Sequence, residues 1–156
     1  MTSTKLIKEL TIRRTLNGSR DLAWELWTNP KHVAKWWGPL GFSNPVCEWN
    51  AKPGNKIFIE MVAANGDHHP MDGEFMEVRK PERLVFLTAK LGEKGERLVE
   101  NIHTLTFEEH DGKTIISLHI HVRMATAEAK NSIKGMDIGW NQSLDRFEKC
   151  MQTLSN

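Results

Sequence analysis

The stretch IHTLTFEEHDGKTIISLHIH, Ile102 to His121, decides how this chain folds. Asp111-Gly112 at its centre is a two-residue hairpin signal, because a tight primed turn needs positive φ at its central positions and these residues accept it. Pairing His110 with Lys113 then fixes every opposed pair along the two arms. Phe107 meets Ile116, Leu105 meets Leu118 and His103 meets Ile120 on one face. Glu108 with Ile115, Thr106 with Ser117, Thr104 with His119 and Ile102 with His121 share the other. The first face is apolar and the second mixed polar, so the hairpin belongs to a sheet with one side covered and one side wet.

Turn signals recur upstream at Lys52-Pro53-Gly54-Asn55, Asn65-Gly66-Asp67, Lys80-Pro81-Glu82 and Gly92 to Gly95. They separate strands near 44–51, 56–64, 69–79, 83–91, 98–109 and 114–123. Leu6, Ile7, Leu10, Ile12 and Leu16 read as a first strand, with Leu10, Ile12, Arg14 and Leu16 at period two. A mostly antiparallel, curling sheet of six to seven strands follows.

Two short helices come after the first strand. Ser19 is placed to cap one that runs to about Trp27. Asn29 caps the next, with Pro30 at its first position, and Gly38-Pro39 stops it. That second helix carries Trp36 and Trp37, which as helix neighbours point about 100° apart. One indole packs with Val33 beneath the first helix, and the other faces a cavity mouth or the last helix. Trp36 shares the face of Val33, but the spacing leaves the assignment open.

From about Thr126 to Leu154 the chain has no proline. Ile133, Met136, Trp140, Leu144, Phe147, Met151 and Leu154 draw one apolar stripe, so a long C-terminal helix is expected. Gly135 and Gly139 each cost about 1 kcal/mol against Ala and mark a kink or close approach. The expected architecture is a single α+β domain over residues 1–156. Its curved sheet and long helix leave a wedge, which either side chains or a ligand must fill.

Composition narrows the function. At 156 residues the chain can bury about 70% of its unfolded surface, so a core without staples is feasible. Twenty-one Lys and Arg against twenty Asp and Glu leave +1, which gives no long-range attraction for nucleic acid. No apolar run suits membrane insertion, and MTSTKLIKELTIRR lacks a signal-peptide segment, so a cytoplasmic protein is expected. Cys47 and Cys150 lie far apart and read as free thiols. Six Trp, six Phe and seven Met without a Tyr favour a roomy interior.

Chemistry-bearing patterns are sparse. No phosphate-binding glycine loop, GxSxG elbow or flanked nucleophilic Cys occurs, and no cofactor is implied. His119 and His121 could offer two ligands from a strand, and Asp67-His68-His69 some from a loop, but no third partner is identifiable and no metal is expected. Glu60, Glu74 and Glu77 read as solvent-facing rather than as an acid/base pair, and Arg14 reads as one half of an outward or loop-bound ion pair, with a charge inside as the alternative. His103 is either a satisfied core histidine or a polar group in a cavity, and burial would hold it neutral. The candidate cavity walls are Trp37, Phe58, Phe75, Phe86, His103, Leu105, Leu118, Met136 and Trp140. Each apolar member also reads as ordinary core.

Several motifs taken in order resemble the SRPBCC or START-like superfamily, in the branch similar to the C-terminal domain of the activator of Hsp90 ATPase. They are Arg14, Trp24-Glu25-Leu26-Trp27-Thr28-Asn29-Pro30, Trp36-Trp37-Gly38-Pro39, Lys52-Pro53-Gly54, Gly73-Glu74-Phe75 with Glu77-Val78, Pro81-Glu82-Arg83-Leu84 and Gly139-Trp140. The resemblance spans about residues 8 to 154. It implies a helix-grip fold, in which the sheet grips the last helix around a cavity for a lipid-like or polycyclic molecule. Three functions follow as expectations: non-enzymatic binding, transport or sensing of a hydrophobic small molecule; a polyketide-cyclase-like or hydrolase-like enzyme using His103 with an inward glutamate; and a chaperone-binding or other interaction module. No separate N-terminal domain like that of the full co-chaperone is expected, and a homodimer is compatible with each function.

Overall fold

The computed structural model describes residues 8–155. Leu6 and Ile7, assigned above to the first strand, lie outside the described residues. Seven strands, β1 (Lys8–Leu16), β2 (Ser43–Trp49), β3 (Lys56–Val62), β4 (His68–Arg79), β5 (Arg83–Leu91), β6 (Arg97–His110) and β7 (Lys113–Ala125), form one antiparallel sheet in the order β1-β7-β6-β5-β4-β3-β2. The 110–113 hairpin keeps the register its turn dictates: Phe107 pairs with Ile116, Leu105 with Leu118 and His103 with Ile120. Asp111 and Gly112 both take positive φ, as the turn requires.

Alternation sorts the strands into an inner and an outer face. Ile57, Ile59, Met71, Phe75, Leu84, Phe86, Leu105, Phe107, Ile116, Leu118 and Ile120 are buried in one continuous core. Gly73 lets the sheet curl there, because a Cβ on it would lie 1.9 Å from the Leu87 carbonyl oxygen on the neighbouring strand. Only glycine permits so close a backbone approach.

The two short helices form as their caps dictate. α1 (Arg20–Thr28) begins where the Ser19 hydroxyl accepts from the Leu22 N–H at 3.1 Å. α2 (Pro30–Trp36) begins where the Asn29 carboxamide oxygen accepts from the Lys31 N–H at 3.0 Å. Trp27 sits at the hub they create, fully buried, with ring neighbours Trp36, Phe86, Trp140 and Phe147.

The C-terminal segment departs from the single long helix expected from 126 to 154. A 3-10 turn (Ala127–Ala129) and the short α3 (Lys130–Lys134) come first, and α4 (Met136–Ser155) starts only after Gly135. Ala129 joins Val99 and Val122 in a satellite cluster at one end of β6 and β7, and Ile133 packs on it. Ile133 therefore leaves the stripe to which its spacing assigned it. On α4, Leu144, Phe147 and Met151 are buried against the main core. Arg14 does not point outward as expected: it lies opposite the buried Ile116 on the helix-covered face of β1 and pairs there with Asp145 and Glu148 of α4, tying the sheet edge to the helix. Among the described residues no helix is long and apolar enough to cross a membrane.

Candidate functional site

Between the inner face of β4–β6, the loop after α2, and the segment running from α3 into α4 lies a cavity of about 310 Å³. The adjacent tryptophans explain one wall. Trp36 is the last residue of α2 and turns inward, its Nε1–H donating to the Leu26 carbonyl at 2.9 Å. Trp37 has already left the helix, at φ −62° and ψ 135°, so the helical 100° offset no longer governs it. That extended step aims its indole at the cavity, edge-to-face with Trp140 of α4 at 5.3 Å. Both rings are thus buried, against different partners.

Arg146 holds that wall in place. Its guanidinium donates to the carbonyls of Lys35 in the last turn of α2 and of Trp37, Gly38 and Pro39 in the loop that follows, at 2.8–3.1 Å. Burial pushes its pKa down from the ordinary arginine value, and it stays a cation. Asn44 adds a second clamp, donating to the carbonyls of Ala34 and Trp37. A Cβ on Gly139 would touch Pro39 at 3.6 Å, so α4 and the loop pass in van der Waals contact.

The lining is mostly apolar, with Phe42, Met61, Met71, Val99, Ile133 and Met136 beside the two indoles. Polar groups sit along one row of the sheet. His103 is 1% exposed, stacked on Phe86 at 4.5 Å, with its Nε2 2.8 Å from the Thr88 hydroxyl. Desolvation lowers its pKa from 6.5 to about 3, so the imidazole is neutral. Its Nδ1 and the Asn101 Oδ1 are buried with no hydrogen-bond partner among the described residues. Farther along the row, Lys90 Nζ donates to the Ser132 hydroxyl of α3 at 2.8 Å.

Of the nine residues named from sequence, Trp37, His103, Met136 and Trp140 border the cavity. Phe75, Phe86, Leu105 and Leu118 are buried in the core beside it rather than on its wall. Phe58 lies on the opposite face. Its neighbours Ile57 and Ile59 point in, leaving it half-exposed in phase with Lys56 and Glu60. Those two charged residues are the signal that locates it. Asn101 and Lys90 were missed although both are in phase with residues assigned inward. Ser132 was missed because it belongs to α3, which the long-helix reading absorbed.

The other chemical candidates are engaged elsewhere. Glu60 is 3.1 Å from His68, Glu77 is 2.6 Å from Arg83, and His119 Nε2 is 3.0 Å from Glu9. Among the described residues no carboxylate borders the cavity, and no group of three or more His, Cys, Asp or Glu is arranged to hold a metal ion. Cys47 and Cys150 are free thiols, and burial raises the Cys47 pKa to about 11.

Solved structures share this fold. A protein of Nitrosomonas europaea superposes with a TM-score of 0.78 at 20% identity, over 94% of this chain and 96% of its own. A protein of Arthrobacter aurescens gives 0.81 at 18% identity, over 97% and 93%. The AHSA1 protein of Silicibacter pomeroyi gives 0.78 at 18%, over 96% and 100%. At such identities these likenesses establish the helix-grip fold and nothing of activity. No curated protein sequence matches the chain. The model of the family described as Activator of Hsp90 ATPase homolog 1-like protein matches residues 17–152, which takes in both short helices, six strands and nearly all of α4, and the chain belongs to that family.

Proposed function

We propose that the protein binds a hydrophobic small molecule, non-enzymatically, in the cavity between sheet and C-terminal helix. The observation that carries this is the cavity itself: about 310 Å³, walled by two indoles, a phenyl ring and three methionines, with few polar groups. Small-molecule sites have that character, and methionines adapt to ligands of irregular shape. His103 fits a positioning role better than acid/base catalysis, since its ring is stacked on Phe86 and tied to Thr88 with no carboxylate at hand. The free thiols accord with a cytoplasmic carrier or sensor.

The test is native mass spectrometry of protein purified under mild conditions, together with tryptophan fluorescence during titration with apolar compounds. A retained apolar mass, or saturable quenching, is expected, because Trp37 and Trp140 line the site. Absence of both across aliphatic, aromatic and polycyclic probes would remove the carrier reading. Membership of the Hsp90-activator family supports a second reading, a chaperone contact, which predicts stimulation of the ATPase of cognate Hsp90 by the purified chain. An unchanged ATPase rate removes it.

A further inference from the structure

We infer that the ligand is amphipathic and carries a carboxylate, which pairs with Lys90 at one end of the cavity while its apolar body lies between Trp37, Trp140 and Met136. This rests on the proposed binding function and specifies the chemical class bound. Lys90 projects from the inner face of β5, directly opposite Met71 on β4 and Val99 on β6. Both neighbours are buried and apolar. A lysine there lays its stem along apolar surface and must carry its charge to a polar partner.

The partner it has is neutral. Lys90 Nζ donates to Ser132 Oγ at 2.8 Å, and among the described residues it makes no ion pair. Among the described residues, the other titratable side chains lining the cavity are His103 and His69, and no acidic side chain borders it. Asp137, at the start of α4, is already paired with Lys8 at 2.6 Å. A cation on a largely apolar wall without a counter-charge fits a ligand that supplies one, and the Ser132 hydroxyl offers a second donor to the same anion.

Length agrees with this placement. Lys90 lies two residues beyond Thr88, or about 7 Å along the strand, so the charged end and the His103 end of the row are separated by several methylene lengths. A cavity of this size takes on the order of fifteen non-hydrogen atoms at interior packing density. A medium-chain or aromatic carboxylic acid fills such a space with its head at Lys90.

Decanoate and 1-decanol share a tail and differ in the head, so titrating each into the full chain by calorimetry isolates the charge. Decanoate is expected to bind at least about tenfold more tightly, since a hydrogen bond to a charged group contributes that much. Lys90→Gln should abolish the preference for decanoate over decanol, and Lys90→Arg should keep it. Equal binding of the two by the wild-type chain, or a preference that survives in Lys90→Gln, overturns the carboxylate assignment and leaves the binding function standing. Failure of both compounds to bind overturns the assignment, and the broader probe panel then decides whether the carrier function falls with it.

Discussion

Replacing His103 by Gln should remove a specific portion of the acid sensitivity of folding. In the folded chain His103 is 1% exposed and its pKa is lowered to about 3 by desolvation, against 6.5 for the free side chain. Between those values the unfolded chain binds a proton that the native chain refuses, so acid favours unfolding. The stabilisation is complete above pH 6.5 and is lost as pH falls below it, at about 1.4 kcal/mol per pH unit. Over the one and a half units down to about pH 5 the loss attributable to His103 is about 2 kcal/mol. Gln keeps a hydrogen-bonding group for Thr88 but cannot titrate. Urea denaturation of both proteins at about pH 7.5 and about pH 5 isolates the effect, because the surface histidines cancel in the difference. The variant should lose about 2 kcal/mol less than the wild type between the two pH values. Identical losses would mean that His103 is hydrated or charge-paired in solution, contrary to the packing described.

Trp27→Ala and Trp140→Ala separate core from wall. Trp27, enclosed on all sides, should cost about 3–5 kcal/mol in chemical denaturation, and Trp140, half-buried beside a hollow, about 1–2 kcal/mol less. Gly73→Ala should destabilise by about 3 kcal/mol or more, at the upper end of overpacking costs, because the clash is with backbone at 1.9 Å; a thermal melt within a degree of wild type would contradict it. Arg146→Met should cost about 2 kcal/mol and raise hydrogen exchange in residues 35–42 more than elsewhere, since the Lys35 and Gly38 carbonyls lose their donor while Trp37 and Pro39 keep only Asn44 and the Phe42 N–H. Uniform exchange across the chain would deny the clamp.

How much of this was legible depended on whether a local rule governed each element. Strand pairing from 102 to 121 was readable to the residue because a two-residue turn leaves one register, and the observed pairs follow it. The caps at Ser19 and Asn29 were equally local. Phe58 went to the wrong face because Lys-Ile-Phe-Ile-Glu-Met-Val offers two apolar phases, which only the charged residues distinguish. The break before α4 was hidden for a different reason. Gly135 is compatible with a kinked helix or with a stop, and the cluster of Val99, Val122 and Ala129 that draws the preceding turn aside is tertiary. The part of the site carrying Ser132 depends on that turn. Trp37 was named as a wall residue, but the choice between it and Trp36 stayed open because a single extended residue, not periodicity, decides where its ring points.

The strand order has a consequence for how the molecule is made. Among the described residues β1 is the first strand, yet its sheet partner there is β7, with Leu16 opposite Thr114. During synthesis at about 5–20 residues per second, β1 therefore waits on the order of ten seconds before its partner exists. Through that interval its hydrogen-bonding edge is open and its apolar residues Leu10, Ile12 and Leu16 have no sheet to cover. Contacts so distant in sequence close slowly, which makes the nascent chain, rather than the finished protein, the form most exposed to aggregation. Lys8, Arg13 and Arg14, set among those apolar residues, give the waiting strand a local positive charge that opposes pairing with another copy of itself.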